Sequence, residues 1–496
     1  MIPLRTIRNI TAKTPDRSAV ISAHAALSWK DFQQRTEATL EFLLQHFDSP
    51  PSTLAFYVVQ NQIELLPWLS ACATLGISIT GIDYTLENQT IARIIDGMGA
   101  DFILYSRSVF PEEAYAHCNN IRFFDIDLPA IPLAAINPVT LPDRIRISDS
   151  VSRPFCSISF TSGSSGFPKS VIRTQSFDRR RFDYFISRHN FTEDDKFLLS
   201  MPLYHAAGNG WARLFLGLGA TVYLTDIESP EDIVDAFVNS EITATVMHPN
   251  LLRLVLDMLD TFGQNFILAL RWLLVGGKNF PPSLKHRALN QLGDVVYEYY
   301  GTTETGLNTL VEPSDLRCVP SSVGRPIEGN SIAIVDADGT ELPKRIIGSV
   351  VVESYMNMHS YGDGSVNELF IKGVRYLWTP DHGYLDEDGR LYLVNRTGTG
   401  RAFYPVYRLE DHIRRLHGVT DVFMLQRGSS PKPDCALALR QSQVITEQMI
   451  EEIKRLAADQ MIELANVYIV DRIPYNPSGK VNTMELKQMI GVEMVA

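Results

Sequence analysis

Short β-rich runs separated by longer stretches of helical period constrain this chain most. Residues 53–60 (TLAFYVVQ), 102–105 (FILY), 221–225 (TVYLT) and 243–247 (TATVM) gather β-branched and aromatic side chains in runs too short for helices. Between them, segments such as 229–241 and 250–262 repeat apolar residues at helical spacing. Strands joined by crossover helices pair in parallel and need cover on both faces. The pattern therefore predicts an α/β fold built of βαβ-layered sheets. The apolar stretch 65–80 is broken by Pro67, Ser70 and Gly76, and reads as a buried helix running into a strand rather than a membrane span.

The texture changes twice further on. From about residue 320, short strands with tight turns replace the βαβ rhythm, and Asp338-Gly339 marks a hairpin. From about 396, strand-like 419–425 and 434–440, helical 446–459 and strand-like 467–471 make a compact α+β unit of small-domain size. The expected division is a body over 1–395, β-rich from about 320, and a mobile C-terminal domain over 396–496. The Gly- and Thr-rich segment 397–401 is the expected hinge.

Composition narrows the class. The 496 residues exceed one core, and 45 Lys+Arg against 57 Asp+Glu give a net charge of −12. A net acidic chain argues against a nucleic-acid binder, whose phosphate contacts need clustered cations. The first twenty residues lack the apolar core of a signal peptide. Cys72, Cys118, Cys156, Cys318 and Cys435 lie far apart, and read as buried free thiols of a reducing, cytoplasmic protein. These features point to a soluble multidomain enzyme.

The most informative segment is 160–171 (FTSGSSGFPKSV), which follows a β-rich run. Gly163 and Gly166 permit positive φ and close approach of backbone N–H groups to a polyanion. Thr161, Ser162, Ser164 and Ser165 add hydroxyl donors, and Lys169 adds a point charge suited to phosphate. It is not a Walker A loop, because Pro168 rather than glycine precedes the lysine. Further along stand MPLYHAAG (201–208), LVGGKNFP (274–281), YEYYGTTETG (297–306), YLWTPDHG (376–383) and IPYNPSGKV (473–481). Asp381 reads as lying in a turn-like stretch between aromatics.

These six segments resemble, in order along nearly the whole chain, the signature motifs of the AMP-forming acyl-adenylate ligases. That superfamily holds acyl- and aryl-CoA synthetases, peptide-synthetase adenylation domains and luciferases. The resemblance implies ATP- and Mg²⁺-dependent activation of a small carboxylic acid to acyl-AMP, with release of pyrophosphate. It implies that Thr161, Ser162, Gly163, Ser164, Ser165, Gly166 and Lys169 hold phosphate. Gly277, Lys278, Tyr300, Gly301, Thr302 and Thr303 would surround the nucleotide, with Tyr300 offering a ring face for adenine. Glu304 would ligate Mg²⁺ as a hard oxygen donor, and Asp381 and Arg396 would reach ribose. Lys480 would be catalytic, bridging the attacking carboxylate and the α-phosphate.

His205 is assigned to the acyl pocket as a catalytic and positioning residue, with Gly208, Asn209, Trp211, Gly276 and Asn308 as further substrate residues. The absence of an acid in MPLYHAAGNGW argues against an α-amino acid substrate. Two departures stand out. Lys278 occupies a position where the family has a small residue or Glu; it either faces solvent or pairs with an acidic substrate group. After Arg396 the chain reads TGTGRAFYPV, without the family's Gly-Gly hairpin. The acceptor is therefore expected to be a thiol, either CoA or the pantetheine of a carrier protein, with an amine as the alternative. A non-catalytic nucleotide-binding protein of the same fold is the reading from another class.

Overall fold

The structure is a computed structural model. It describes residues 1–47, 54–112, 116, 121–127, 156–161, 169–174, 178–227, 229–262, 269–396, 403–425, 432–440, 445–477 and 479–491. The chain forms two compact units. One comprises Met1–Met247, Leu254–Leu273 and Tyr355–Val366; the other comprises His248–Arg253, Leu274–Ser354 and Asn367–Ala496.

In the first unit the expected βαβ rhythm appears strand for strand. The β-rich runs become Leu54–Val58, Phe102–Tyr105, Thr221–Leu224 and Ala244–Met247, and the helical segment after Ser229 becomes Pro230–Asn239. That helix starts where Ser229 accepts the Asp232 N–H and Pro230 occupies the first turn. The stretch 65–80 resolves into the helix Leu65–Leu75 and the strand Ser78–Gly81. A seven-stranded sheet runs in the spatial order Ser360–Tyr361, Lys169–Thr174, Cys156–Thr161, Ser78–Gly81, Leu54–Val58, Phe102–Tyr105, Arg122–Asp125. Its last four pairings are parallel and its first two antiparallel. A second parallel array joins Ala244–Met247, Lys196–Leu199, Thr221–Leu224 and Ser18–Ser22.

The second unit carries the two other textures. Asn330–Val335 and Gly348–Ser354 are antiparallel, and their side chains alternate between two buried clusters. Ile334, Val350 and Val352 pack on one face, and Ala333, Val335 and Val351 on the other. The turn at Asp338-Gly339 forms as expected, closed by the Gly339 N–H on the Asp336 carbonyl at 3.2 Å.

The C-terminal α+β unit also forms as read, with strands Val419–Leu425, Asp434–Leu439 and Val467–Val470 and the helices Phe403–Arg414 and Glu447–Asp459. Cys435 and Leu437 face the core that these helices complete, while Ala436 and Ala438 face Val470, Ile473 and Leu486. Each large aliphatic side chain so buried stabilises the fold by about 1.5–3 kcal/mol. The expected hinge, 397–401, lies outside the described residues.

Two expectations are corrected. Asp381 is in the long strand Val374–Leu385, because that segment pairs with Gly348–Ser354 on one side and Leu391–Arg396 on the other. Pro380 is accommodated beside an irregularity in that pairing. Cys72 and Cys435 are buried free thiols as expected, but Cys318 is exposed at the end of the short helix Pro313–Cys318.

Candidate functional site

In the first unit, the strands Cys156–Thr161 and Lys169–Thr174 form a hairpin with Thr161 opposite Lys169. Lys169 is thus fixed at the exit of the Gly/Ser segment, whose residues 162–168 (with Ser162, Gly163, Ser164, Ser165 and Gly166) lie outside the described residues. The Lys169 ammonium is 5.4 Å from the centre of the Tyr361 ring. It borders a cavity of about 230 Å³ lined by Arg93, Ile94, Met98, Phe160, Tyr361 and Asp363. Hydrogen bonds from Ser365, aided by the Lys169 charge, hold the Asp363 carboxyl below its usual range. A cation pair, Arg93 and Lys169, therefore faces a cavity with one carboxylate.

The segment 201–208 is held by Asn61, whose amide accepts the Leu203 N–H at 2.7 Å and donates to the Met201 carbonyl at 2.9 Å. The Tyr57 hydroxyl adds a bond to the Leu203 carbonyl. Neither Asn61 nor Tyr57 stood out in the sequence, since both lie more than a hundred residues from their partners. His205 caps the helix Ala206–Leu218, its Nδ1 accepting the Ala207 N–H at 3.3 Å. Gly208 is buried, Asn209 is half-buried, and Trp211 is buried among Phe185 and Trp272.

The second unit brings most of the predicted nucleotide residues together. Gly276, Gly277 and Lys278 follow the strand Trp272–Gly276. A Cβ on Gly276 would come within 2.4 Å of the Tyr299 ring, so only glycine lets the strand Val296–Thr302 pack so closely. Burial pushes the Tyr299 hydroxyl up to about 12. Tyr300, next on that strand, donates from its hydroxyl to Asp381 Oδ2 at 2.7 Å. Asp381 is only 2% exposed, and its backbone N–H donates to Thr379 Oγ1 at 3.2 Å. Arg396 lies directly opposite Asp381 in the strand register. Tyr300, Asp381 and the backbone of Arg396 thus converge.

Gly301 and Thr302 end the strand, and Thr303 and Glu304 occupy the turn before Gly306–Val311. Thr302 Oγ1 accepts the Thr305 N–H at 3.2 Å, and Asn308 Nδ2 donates to Thr305 Oγ1 at 2.8 Å. This brace fixes the turn and leaves Glu304 half-buried at its tip. Asn308 itself is fully buried beneath it.

Lys480 is exposed on a tight turn. Its N–H donates to Asn476 Oδ1 at 2.7 Å, and the Asn476 N–H returns to the Lys480 carbonyl at 2.8 Å. Gly479 has φ +75, and a Cβ there would meet the His248 ring at 2.5 Å. Asn250 Nδ2 donates to the Gly479 carbonyl at 3.2 Å. Below the turn, Tyr475 donates to Asp421 at 2.8 Å, and Asp421 pairs with Arg253 and Arg414. Lys480 is therefore presented by a pinned turn. Lys278 lies within electrostatic reach of it: burial, then Lys480, pulls the Lys278 ammonium down to about 7, against Glu410.

Among the described residues no three His, Cys, Asp or Glu side chains gather to hold a metal ion. Glu304 alone suits a Mg²⁺ that arrives on phosphates, since such ions take one or two carboxylates and keep phosphate and water ligands.

A profile described as AMP-binding enzyme matches residues 7–362. The chain belongs to the AMP-binding enzyme family. It is 27% identical over 488 residues to 2-succinylbenzoate–CoA ligase of Bacillus licheniformis, covering 94% of this chain and 96% of the relative. Among solved structures it is similar to O-succinylbenzoate coenzyme A synthetase of Bacillus subtilis in complex with AMP, with a TM-score of 0.78, 22% identity and coverage of 97% and 98%. The same enzyme in complex with ATP and magnesium ion gives 0.76 at 23% identity, covering 97% and 99%. The amide bond synthetase McbA of Marinactinospora thermotolerans gives 0.77 at 22% identity, covering 98% and 99%. The expected α/β fold with a β-rich subdomain and a small α+β unit is that of these structures. Among the described residues no helix is long and apolar enough to cross a membrane.

Proposed function

We propose that this protein is an AMP-forming acid–thiol ligase that turns a carboxylic acid into acyl-AMP and then into a CoA thioester. The observation that carries the reading is the pinned Lys480 turn, which shares one unit with the Gly276–Gly277–Lys278 turn and the Tyr300–Asp381 pair. A carboxylate oxygen attacks the α-phosphate, and the bond to the β-phosphate oxygen breaks to release pyrophosphate. Lys480 offsets the charge that builds between carboxylate and phosphate. Asp381, aimed by Tyr300, takes the ribose hydroxyls with Arg396, and Thr161 through Lys169 take the leaving phosphates. Glu304 would hold a Mg²⁺ ion, which would supply neutralisation of the phosphate charge. The thiol sulfur then attacks the acyl carbon and AMP leaves.

His205, Asn209 and Trp211 supply the acyl side, with Gly208, Gly276 and Asn308. The domain over 396–496, turning about 397–401, brings Lys480 in for the first step and withdraws it for the second. The names of the relatives put aryl acids first among substrates, and the unpaired cysteines suit a reducing cytoplasm. Amide formation is the second reading, favoured by the absence of the Gly-Gly hairpin after Arg396.

The test is pyrophosphate release over a panel of acids, with products weighed in the presence of CoA or amines. Lys480→Ala should lower adenylation by roughly 10²–10³-fold, and Glu304→Gln should raise the Mg²⁺ requirement. Undiminished pyrophosphate release by Lys480→Ala would overturn the mechanism. An amide as the sole product would replace the thiol reading by the amine one.

A further inference from the structure

Arg253, on the helix Pro249–Phe262, belongs to the second unit and reaches a carboxylate 168 positions further along. Its guanidinium donates to Asp421 Oδ2 at 2.8 Å and to the Thr420 carbonyl at 3.2 Å. Asp421 is 4% exposed, and a carboxylate so buried stays ionised only when paired. Against burial, Arg253 and then Arg414 hold it below its usual range.

From Asp421 the contacts run on to Lys480. Asp421 Oδ2 also accepts the Tyr475 hydroxyl at 2.8 Å, so Arg253 and Tyr475 share one oxygen. Tyr475 faces Val481 across an isolated bridge, and the Lys480 turn lies between those two residues. The start of the same helix touches the turn by a second route. Asn250 Nδ2 donates to the Gly479 carbonyl at 3.2 Å. The His248 ring, fixed by the Leu251 N–H on its Nδ1 at 3.1 Å, packs where Gly479 has no Cβ.

The members of this chain of bonds differ in origin. Arg414, Asp421 and Tyr475 all belong to the C-terminal α+β domain and bond one another there. Arg414 Nε lies 3.1 Å from Asp421 Oδ1, which also accepts the Val422 N–H at 2.8 Å. Arg253 comes from outside that domain. Its loss therefore leaves Asp421 paired and bonded within the domain, and removes the grip on where the domain's turn stands.

We propose that Arg253 is a positioning residue for acyl-adenylate formation: by holding Asp421, and through it Tyr475, it sets the Lys480 turn in the pose that the first step needs. The proposal rests on the reading that Lys480 serves that step and is withdrawn for the second. Arg253 then matters for the first half-reaction and not for the second.

The experiment measures the two half-reactions separately on the full chain. The first is pyrophosphate release in a single turnover, with saturating ATP and an acid that the panel shows to be used. The second is capture of that acid's adenylate, supplied ready-made, by CoA, or by the amine if the panel gives amides. Arg253→Met should slow the first roughly tenfold, the loss of one charged hydrogen bond, and leave the second unchanged. Arg253→Lys keeps the charge and should restore most of the loss. In the Lys480→Ala background Arg253→Met should cost nothing further, because the turn then presents no ammonium. The ratio of the two rates within one preparation does not depend on the folded fraction, so lost stability cannot imitate the result.

Equal slowing of both half-reactions would show a general structural role and overturn the proposal. So would a further loss of the same size on top of Lys480→Ala. If Lys480→Ala lowers pyrophosphate release while Arg253→Met leaves it untouched, only the Arg253 assignment fails. If Lys480→Ala stays fully active, the underlying reading fails and the Arg253 proposal with it.

Discussion

Tyr300 shows how one hydroxyl converts a buried carboxylate into a directed one. Asp381 is nearly inaccessible, and a carboxylate in that setting needs donors to remain ionised. The Tyr300 hydroxyl supplies one at 2.7 Å from the adjoining sheet. Tyr300→Phe keeps the ring and removes the donor. A hydrogen bond to a charged group is worth about 1.5–3 kcal/mol, so KM for ATP should rise roughly tenfold or more. Mg²⁺ dependence should not change. Initial-rate kinetics check this, and an unaltered KM would show that the ring alone matters. The sequence made Tyr300 and Asp381 legible as separate motif members. Their bond was not legible, because it joins residues 81 positions apart and depends on where two sheets meet.

At the scale of elements, the helix Pro282–Leu292 and the strand Val296–Thr302 are fastened by a charge pair inside the core. Lys285 Nζ lies 2.5 Å from Glu298 Oε2, with both side chains at most 4% exposed. Lys285 also donates to the Pro320 carbonyl at 2.6 Å. Removing one partner strands the other. Lys285→Met should therefore destabilise the protein by about 3–5 kcal/mol at neutral pH.

The pH dependence follows from Glu298, whose carboxyl burial pushes up to about 6 despite Lys285. Between the ordinary carboxyl range and 6 the folded state binds more protons than the unfolded one, so this group's contribution falls as pH rises through that window. Losing the lysine widens the gap. The deficit of Lys285→Met, measured by denaturant unfolding, should be smaller at pH 5 than at pH 7.5; equal deficits would refute it. The pair was not legible in the sequence, since a lysine and a glutamate thirteen apart look like solvated surface charges until the fold buries them.

For the molecule as a whole, the acid limit of the first unit depends on a histidine in an aromatic core. His189 packs against Phe185, Phe191 and Trp272, while Arg271 pairs with Asp195 nearby. Burial, then Arg188 and Arg271, pushes the imidazole down to about 4. The unfolded chain binds that proton near 6.5, so the stabilisation is present above 6.5 and is lost as pH falls toward 4. His189→Phe should flatten the fall of the unfolding midpoint across that window; an unchanged slope would place the acid sensitivity elsewhere.

The net charge of −12 gives no hint of this residue. Periodicity and motif order alone determined the α/β class, the βαβ rhythm, the C-terminal α+β unit and the family, because those depend on neighbours along the chain. Only the tertiary structure decided that Asp381 lies in a strand, that Asn250 holds the Lys480 turn across 229 residues, and that burial and the Lys480 charge pull the Lys278 ammonium down. Those outcomes depend on burial and on distances through space, which a linear pattern does not encode.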